Sequence, residues 1–326
     1  MRRRELLRVI GLSAVVWPLT AHGQQRIRRI GVLMSPSATD PEGQKQAAAL
    51  LRGLEELGWS SGRNIEIDFR WYGGDVEKAR ALARELVELR PDLLVAAGTP
   101  SLATVQQATR TTPILFVNVA DPLAQGFVQS LARPGDNITG FGLEEPTMGA
   151  KWVQLLTEIA PRTRLISVMF NPAAAPFARM FLPSMEASRQ SIALQMSPVS
   201  NDADIEKIVA AAGERAPAAL IVLPDVFLNA HRDQIIALAA QHRVPAVYAL
   251  PSYPASGGLL SYGIDRIGTF RIAASYVDRI LKGEKPGDLP VQMPTEYRLV
   301  INLKTARVLG LDVSLSLQQR ADEVIE

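Results

Sequence analysis

The residues best able to do chemistry in this chain are short polar groups that directly follow apolar runs. Ser35 follows the first such run, and Gly98 opens a polar stretch after the third. In open parallel sheets, ligands lie beyond the carboxyl ends of the strands, where these groups meet helix N-termini. The chemistry on offer is hydrogen bonding to a small anionic group. The candidates in the first half of the chain are Ser35, Tyr72, Thr99, Pro100, Ser101, Asp121 and Pro122.

The stretch Gly98-Thr99-Pro100-Ser101 gives the sharpest prediction among these candidates. Thr99 is a favourable N-cap and Pro100 suits the first helical position, so free N–H groups there could donate hydrogen bonds to a carboxylate or phosphate. The alternative is that Thr99 and Ser101 only cap their own helix. Asp121-Pro122 also predicts the start of a helix, either as part of the site or as a simple cap.

The second half offers three candidates at equivalent positions. Asn171 follows one apolar run, Asp225 follows another, and Tyr253 follows a third. Asp225 is suited either to accepting a hydrogen bond from a ligand amine or to capping a turn. For Tyr72 and Tyr253 we expect exposed rings that stack on a ligand from opposite sides, because aromatic rings lose little rotamer entropy. The alternative is that these rings fill a core.

The residue types present in this chain give little support for catalytic activity. The chain contains no cysteine and three histidines, which excludes thiolate nucleophiles, thiolate metal sites and disulfides. His231 and His242 would lie about 16 Å apart on one helix, too far to share a metal ion. Motifs for a nucleophile elbow or a phosphate-binding loop are absent from the sequence. We therefore predict no catalytic residues, no metal and no cofactor, and expect that the protein is not an enzyme.

The elements that must position these residues follow a repeated strand–helix rhythm. That rhythm predicts two α/β lobes, each a doubly wound parallel sheet. We expect the chain to cross between them more than once, with a first lobe of 27–143 plus 266–288 and a second of 144–262 plus 295–326. The hinges are expected near 142–145, 263–265 and 289–294. The predicted strands are 27–34, 64–69, 92–97, 113–117, 165–170, 194–199, 218–223, 244–250, 258–262 and 296–301. The predicted helices include a long one at 173–193 that is broken near Pro183, one at 229–242 and a short terminal one at 315–324.

Residues 1–23 predict a secretory signal peptide. They combine a basic start, an apolar run of about 11 residues and a small-residue cleavage site, which is too short to span a membrane. Arg3-Arg4 also resembles a twin-arginine signal. Without this leader the chain keeps 31 basic and 32 acidic residues, a net charge of −1, which gives no footprint for nucleic acid or an anionic membrane. Because no cysteine is available for a lipid anchor, we expect a periplasmic protein.

Several motifs resemble those of the exported substrate-binding proteins of ABC transporters, in the subgroup that includes tryptophan-binding members. The most specific stretch is 121–140, DPLAQGFVQSLARPGDNITG; shorter ones are RIGVL at 29–33, GLEELGW at 53–59, AGTP at 97–100, FNP at 170–172, GLLSYG at 258–263 and LVINL at 299–303. The likeness covers nearly the whole mature chain. It implies a type I periplasmic-binding-protein fold, ligand binding without turnover, and an ABC permease of the inner membrane as partner. By position, it implies that nine of the ten candidate residues, all except Tyr72, line the two sides of a cleft.

The resemblance leaves the ligand and the partner open. The segment 250–255, LPSYPA, departs from the acidic and small residues of tryptophan-binding relatives. Few charged residues fall at predicted strand ends, so we expect a small, partly apolar ligand with one carboxylate, such as an amino acid or an aromatic acid. The expected state is a monomer. The alternatives are a ligand sensor for a membrane signalling protein and, less favoured, a periplasmic hydrolase.

Overall fold

The computed structural model describes residues 26–143, 145–189, 191–215 and 217–326, so the predicted leader lies outside the described residues. The first sheet is entirely parallel, with strand order β2-β1-β3-β4-β5. Its elements, in chain order, are β1 (Arg28–Met34), α1 (Pro41–Glu56), β2 (Ile65–Trp71), α2 (Val76–Glu88), β3 (Leu93–Ala97), α3 (Thr99–Ala108), β4 (Ile114–Val119) and β5 (Ile138–Gly142).

The second sheet has seven strands in the order β12-β11-β10-β9-β8-β6-β7. Its elements are α4 (Met148–Ile159), β6 (Leu165–Phe170), α5 (Leu182–Ser188), β7 (Ala193–Pro198), α6 (Asp202–Glu214), β8 (Ala218–Val222), α7 (Val226–Ala230), α8 (Arg232–Gln241), β9 (Ala246–Tyr248), α9 (Ser252–Ala255), β10 (Leu260–Ile264), β11 (Tyr297–Asn302), α11 (Leu303–Val308), α12 (Leu315–Gln319) and β12 (Glu323–Ile325). β11 runs antiparallel to β10 and parallel to β12. The predicted α/β fold of two doubly wound sheets is confirmed, with this pair of strands as an antiparallel edge.

The remaining helix, α10 (Arg266–Leu281), follows the second sheet in sequence but packs on the first. Its close partner is α1, and a Cβ on Gly53 would lie only 2.7 Å from Cβ of Ala274. Farther along the chain, Gln292 pairs with β5, its N–H donating to Gly140 and its carbonyl accepting from Gly142. The chain therefore passes between the sheets three times: after β5, between β10 and α10, and between Gln292 and β11.

Burial on both faces explains why the central strands are continuous apolar runs. All residues of β3 and of β4 are buried, because helices cover the first sheet on both sides. α10 contributes Phe270 and Val277 to the cluster on one face, and α2 and α3 contribute Leu86 and Leu102 to the other. None of the helices in the described ranges is long and apolar enough to cross a bilayer.

Three predicted helices were wrong, and one strand of the first sheet was not predicted. β5 was missed, because its two glycines hide the strand pattern; Gly140 is required there, since a Cβ would lie 2.1 Å from the carbonyl oxygen of Phe116. The predicted helix 173–193 is replaced by a 3₁₀ turn at Ala178–Phe181 and the short α5. The predicted helix 229–242 is divided at His231, which ends α7 and begins α8. The predicted helix 315–324 ends at Gln319, and β12 pairs with β11 instead.

Candidate functional site

A cavity of about 180 Å³ lies between the two sheets, where their carboxyl ends face each other. We call it the interlobe cavity. On the first-sheet side it is lined by the turn Ser35–Ser37 after β1 and by the first residues of α1. On the other side it is lined by Val226 and Asn229 of α7, and Arg266 at the start of α10 completes the wall. The site is thus built from the strand-end positions where the sheet rule places a ligand.

Local sequence fixes the first-sheet wall. Asp40 is the N-cap of α1, and its Oδ1 accepts a 2.8 Å hydrogen bond from the N–H of Gly43. A Cβ on Gly43 would lie 2.4 Å from Cγ of Pro36 and 3.1 Å from Cζ3 of Trp71. Only glycine lets this helix start pack so closely against the turn after β1.

The two sides of the cavity are in contact. Oδ2 of Asp40 accepts a 2.6 Å hydrogen bond from Nη1 of Arg232, and the two side chains are only 10 % and 14 % exposed. A Cβ on Gly74 would lie 3.4 Å from the carbonyl oxygen of Val226. The structure therefore shows a closed arrangement in which an ion pair joins the first helix of one sheet to a helix of the other.

Two buried hydroxyl groups, those of Tyr72 and Ser101, lie behind the first-sheet wall of the cavity. Oγ of Ser101 lies 2.6 Å from the carbonyl oxygen of Ala97 and 3.2 Å from the hydroxyl of Tyr72. Burial raises the pKa of Tyr72 well above its ordinary value, and hydrogen bonding to Ser101 and Ser35 and the charge of Arg266 offset this in part. Tyr72 is thus a neutral hydroxyl that holds Ser35, at the cavity wall, in place.

Asp225 organises the second-sheet wall from behind. It is the N-cap of α7, accepting from the N–H groups of Phe227 (2.7 Å) and Leu228 (3.2 Å), while its other oxygen accepts from the N–H of Asn171 at 2.6 Å. Burial raises the pKa of Asp225 to about 6, although these three hydrogen bonds and His231 act to lower it. Of the two predicted roles, the structure shows the capping one.

Two predictions about local structure around the candidate residues were wrong. Thr99 is the first residue of α3 and not its N-cap; Gly98, at φ +92°, takes that position, and Oγ1 of Thr99 accepts from the N–H of Ala120. Asp121 begins no helix. Its backbone is left-handed at φ +33°, and its Oδ1 accepts from the N–H of Ala124 in an isolated turn.

The expectation of exposed stacking rings was also wrong. Tyr72 and Tyr253 are each 1 % exposed, because each fills a hydrophobic cluster of its own sheet. Tyr253 stacks on Tyr248 with ring centroids 4.4 Å apart, and Tyr262 stacks on Tyr297. The alternative role for these aromatics, filling a core, is the one observed.

The three remaining candidates are also buried. Asn171 uses Oδ1 to accept from the N–H groups of Ala173 and Ala174, and Pro100 and Pro122 are buried. Of the ten candidate residues, Ser35 is the one that lines the interlobe cavity. Within the described ranges, no cluster of three or more His, Asp or Glu residues is arranged to hold a metal ion.

Sequence reasoning missed most of the polar residues that line the cavity, among them Glu42, Asn229 and Arg266. Each lies within a few residues of a strand end, so the rule that selected Ser35 and Asp225 reaches them as well. Glu42 and Asn229 sit in the first turn of a helix, where polar side chains are ordinary, and Arg266 falls at a predicted hinge. No sequence signal separated them from solvated positions.

Comparison with known proteins identifies the family. The profile of the ABC transporter substrate-binding proteins matches residues 29–325. A tyrosine-binding protein of Clostridioides difficile is 24 % identical over 286 residues, which cover 87 % of this chain and 81 % of the relative.

Solved structures share the fold. A conserved domain protein from Vibrio cholerae superposes with a TM-score of 0.84 at 30 % identity, over 92 % of this chain and 100 % of the other. An ABC domain from Streptococcus pneumoniae in complex with L-Trp gives a TM-score of 0.83 at 24 % identity, over 91 % and 99 % of the two chains.

Proposed function

The chain belongs to the ABC transporter substrate-binding protein family, and we propose that it is an exported receptor that captures a small carboxylate-bearing organic ligand between its lobes and delivers it to an ABC importer. Family members are binding proteins, not enzymes. The observation that carries the proposal is the interlobe cavity, whose walls come from both sheets. The tyrosine and tryptophan bound by two relatives support an amino acid or an aromatic acid as ligand.

The proposed mechanism is hinge closure. The lobes would be 27–143 plus 266–288 and 144–262 plus 295–326, turning about hinges near 142–145, 263–265 and 289–294. A ligand held by both walls contributes its binding free energy to closure, and the closed form is what a permease recognises. Ser35 would contact the ligand directly. We assign eight other candidates, Tyr72, Thr99, Pro100, Ser101, Pro122, Asn171, Asp225 and Tyr253, to the buried support of the two walls, and Asp121 to the partly exposed turn that follows β4.

Export and assembly complete the proposal. The leader 1–23 would direct the chain to the periplasm, by the twin-arginine route if Arg3-Arg4 is read as such a signal. The mature chain would act as a monomer beside an inner-membrane permease, without a cofactor, a metal, nucleic acid or membrane insertion.

Binding and delivery can be tested separately. Native mass spectrometry of protein purified from its own periplasm identifies a retained solute, and a thermal-shift screen then measures binding; a ligand at 100 times its Kd should add about 2.7 kcal/mol to stability. Delivery is measured as uptake of the labelled ligand by cells lacking the gene and by cells complemented with it. A complementing gene without codons 1–23 is the control, and it should restore no uptake. Unchanged uptake in the deletion strain would refute delivery, and absence of any retained or stabilising solute would refute binding.

A further inference from the structure

Three residues that line the interlobe cavity each carry a buried polar atom without a partner. These atoms are Nε of Arg266, Oε2 of Glu42 and Oδ1 of Asn229. Arg266 and Asn229 are only 9 % and 8 % exposed. A buried polar group left unpaired costs about 1–3 kcal/mol, and more when it is charged. Three such atoms on residues that line one cavity indicate that a polar ligand completes their hydrogen bonding.

The position of Arg266 is unfavourable for a cation that has no ligand. Arg266 occupies the first position of α10, where the helix dipole is unfavourable for a cation. Within the described chain, its guanidinium has no hydrogen-bond partner and no carboxylate within 4.0 Å. Its charge reaches the hydroxyl of Tyr72, which lies beside Ser35 behind the cavity wall. A guanidinium so placed fits a carboxylate in a two-pronged arrangement.

The charges that line the cavity indicate which class of ligand it complements. The ionic residues that line it are Asp40, Glu42 and Arg266. Asp40 is already neutralised by Arg232 at 2.6 Å. Glu42 has no ion-pair partner within 4.0 Å in the described ranges, although its charge also acts on Arg232 at longer range. The cavity is therefore left with one free base and one free acid, which complements a zwitterion better than a simple anion or a neutral sugar.

From this arrangement we infer that the interlobe cavity binds an α-amino acid zwitterion, with Arg266 holding the carboxylate and Glu42 and Oδ1 of Asn229 accepting from the ammonium group. This inference rests on the proposed function and assigns its ligand class. Size agrees with it, since a cavity of about 150 Å³ accommodates benzene and this one measures about 180 Å³. Closure brings the two parts of the ammonium site together, because Glu42 belongs to α1 and Asn229 to α7.

The test uses calorimetric titration of the mature protein with each of the twenty L-amino acids. For the tightest binder, the carboxamide and the desamino analogue are titrated next. We expect the wild type to bind both analogues 10- to 100-fold more weakly, since a hydrogen bond to a charged group contributes about 1.5–3 kcal/mol. In Arg266→Gln the preference for the acid over the amide should fall below about threefold. In Glu42→Gln the preference over the desamino analogue should fall likewise.

Matched controls lie on the same two helices. Arg271 and Glu56 pair with each other on the surface of α10 and α1 at 3.0 Å, and both are more than half exposed. Arg271→Gln and Glu56→Gln should bind and discriminate like the wild type. Circular dichroism verifies folding, and Arg266→Met, which also removes the charge, replaces Arg266→Gln if that variant does not fold. The analogue series on the wild type needs no variant at all.

The possible results separate this inference from the proposed function. Amide discrimination that persists in Arg266→Gln, or tight binding of an acid without an ammonium group, overturns the assignment while the protein remains a receptor. Binding of none of the twenty amino acids, together with a retained solute of another class in native mass spectrometry, overturns it as well. Only the absence of any small-molecule ligand refutes both.

Discussion

Nη1 of Arg232 donates a hydrogen bond to Oδ2 of Asp40 across 2.6 Å, and this pair joins the two lobes. The same carboxylate caps α1 through its other oxygen, which accepts from Gly43. The side chain of Asp40 therefore both caps the first helix and helps to hold the cleft closed. Because both partners are mostly buried, the pair is only weakly screened by solvent.

Removing the charge of Asp40 should weaken ligand binding without unfolding the lobe. Asp40→Asn keeps an oxygen for the N–H of Gly43 but leaves Arg232 with only the exposed carboxylate of Asp233 at 3.6 Å, which we expect to disfavour closure by about 1–2 kcal/mol. The predicted result is a 5- to 30-fold higher Kd by calorimetry and, with subsaturating ligand, a larger radius of gyration by X-ray scattering. Glu284→Gln breaks an exposed pair with Arg279 inside the first lobe and should change neither quantity. A double-mutant cycle with Arg232→Gln that shows no coupling energy would count against the pair as a closure contact.

Asp225 should make stability depend on pH in an unusual direction for a carboxylate. Burial raises the pKa of Asp225 to about 6 from its ordinary value of 3.8, so the folded state binds the proton more tightly than the unfolded state does. Its contribution is present below pH 4 and is lost as the pH rises through 6. The loss is on the order of 3 kcal/mol at 1.36 kcal/mol per pKa unit.

Urea unfolding from pH 4 to pH 7 measures this effect in the wild type and in Asp225→Asn. The amide lacks the titration and leaves the N–H of Asn171 without its acceptor at 2.6 Å. The free energy of unfolding of the wild type relative to the variant should therefore decrease as the pH rises from 4 to 6. A difference that stays constant over this range would show that Asp225 does not titrate there. Asp204→Asn, on an exposed helix start, serves as the control.

Trp152 should be the most costly single truncation in the second lobe. It is completely buried, its ring meets Phe181 edge-on at 4.9 Å, and Nε1 donates to the carbonyl oxygen of Tyr262 at 2.8 Å. Trp152→Ala should lower the free energy of unfolding by about 3–5 kcal/mol, and Trp152→Phe by about 1–3 kcal/mol. Urea denaturation followed by circular dichroism gives both values. Equal losses for the two variants would show that the ring's packing contributes little beyond its hydrogen bond.

Ser35 and Tyr72 should separate ligand contact from structural support. Ser35→Ala removes a hydroxyl at the cavity wall and should raise the Kd about three- to tenfold with little change in stability. Tyr72→Phe removes the buried hydroxyl behind it and should cost about 1 kcal/mol of stability while changing the Kd less than threefold. Calorimetry and thermal denaturation measure the two quantities, and the reverse pattern would exchange the proposed roles. Ser130→Ala, in an exposed turn, is the control.

Some strands of the fold are predictable from the sequence pattern and others are not. The runs that became β1, β3 and β4 are buried on both faces, and their continuous apolar pattern predicts strands directly. β5 and β12 were not predicted, because they form through pairing with neighbouring strands and their own residues show no strand pattern. Gly140, for example, is explained by the carbonyl of Phe116 beside it, which no local pattern shows.

The sequence by itself determined the α/β class and the family, because these follow from local periodicity and contiguous motifs. It also placed the ligand site at the carboxyl ends of the strands, through the general rule for parallel sheets. Only the tertiary structure decided which strand-end residues reach the cleft. It buried Tyr72 and Tyr253, used Asp225 as a helix cap, and set Arg266 and Glu42 unpaired at one cavity. The physical reason is that burial and pairing depend on neighbours brought from distant parts of the chain, and a polar residue's own type does not show whether another group will satisfy it.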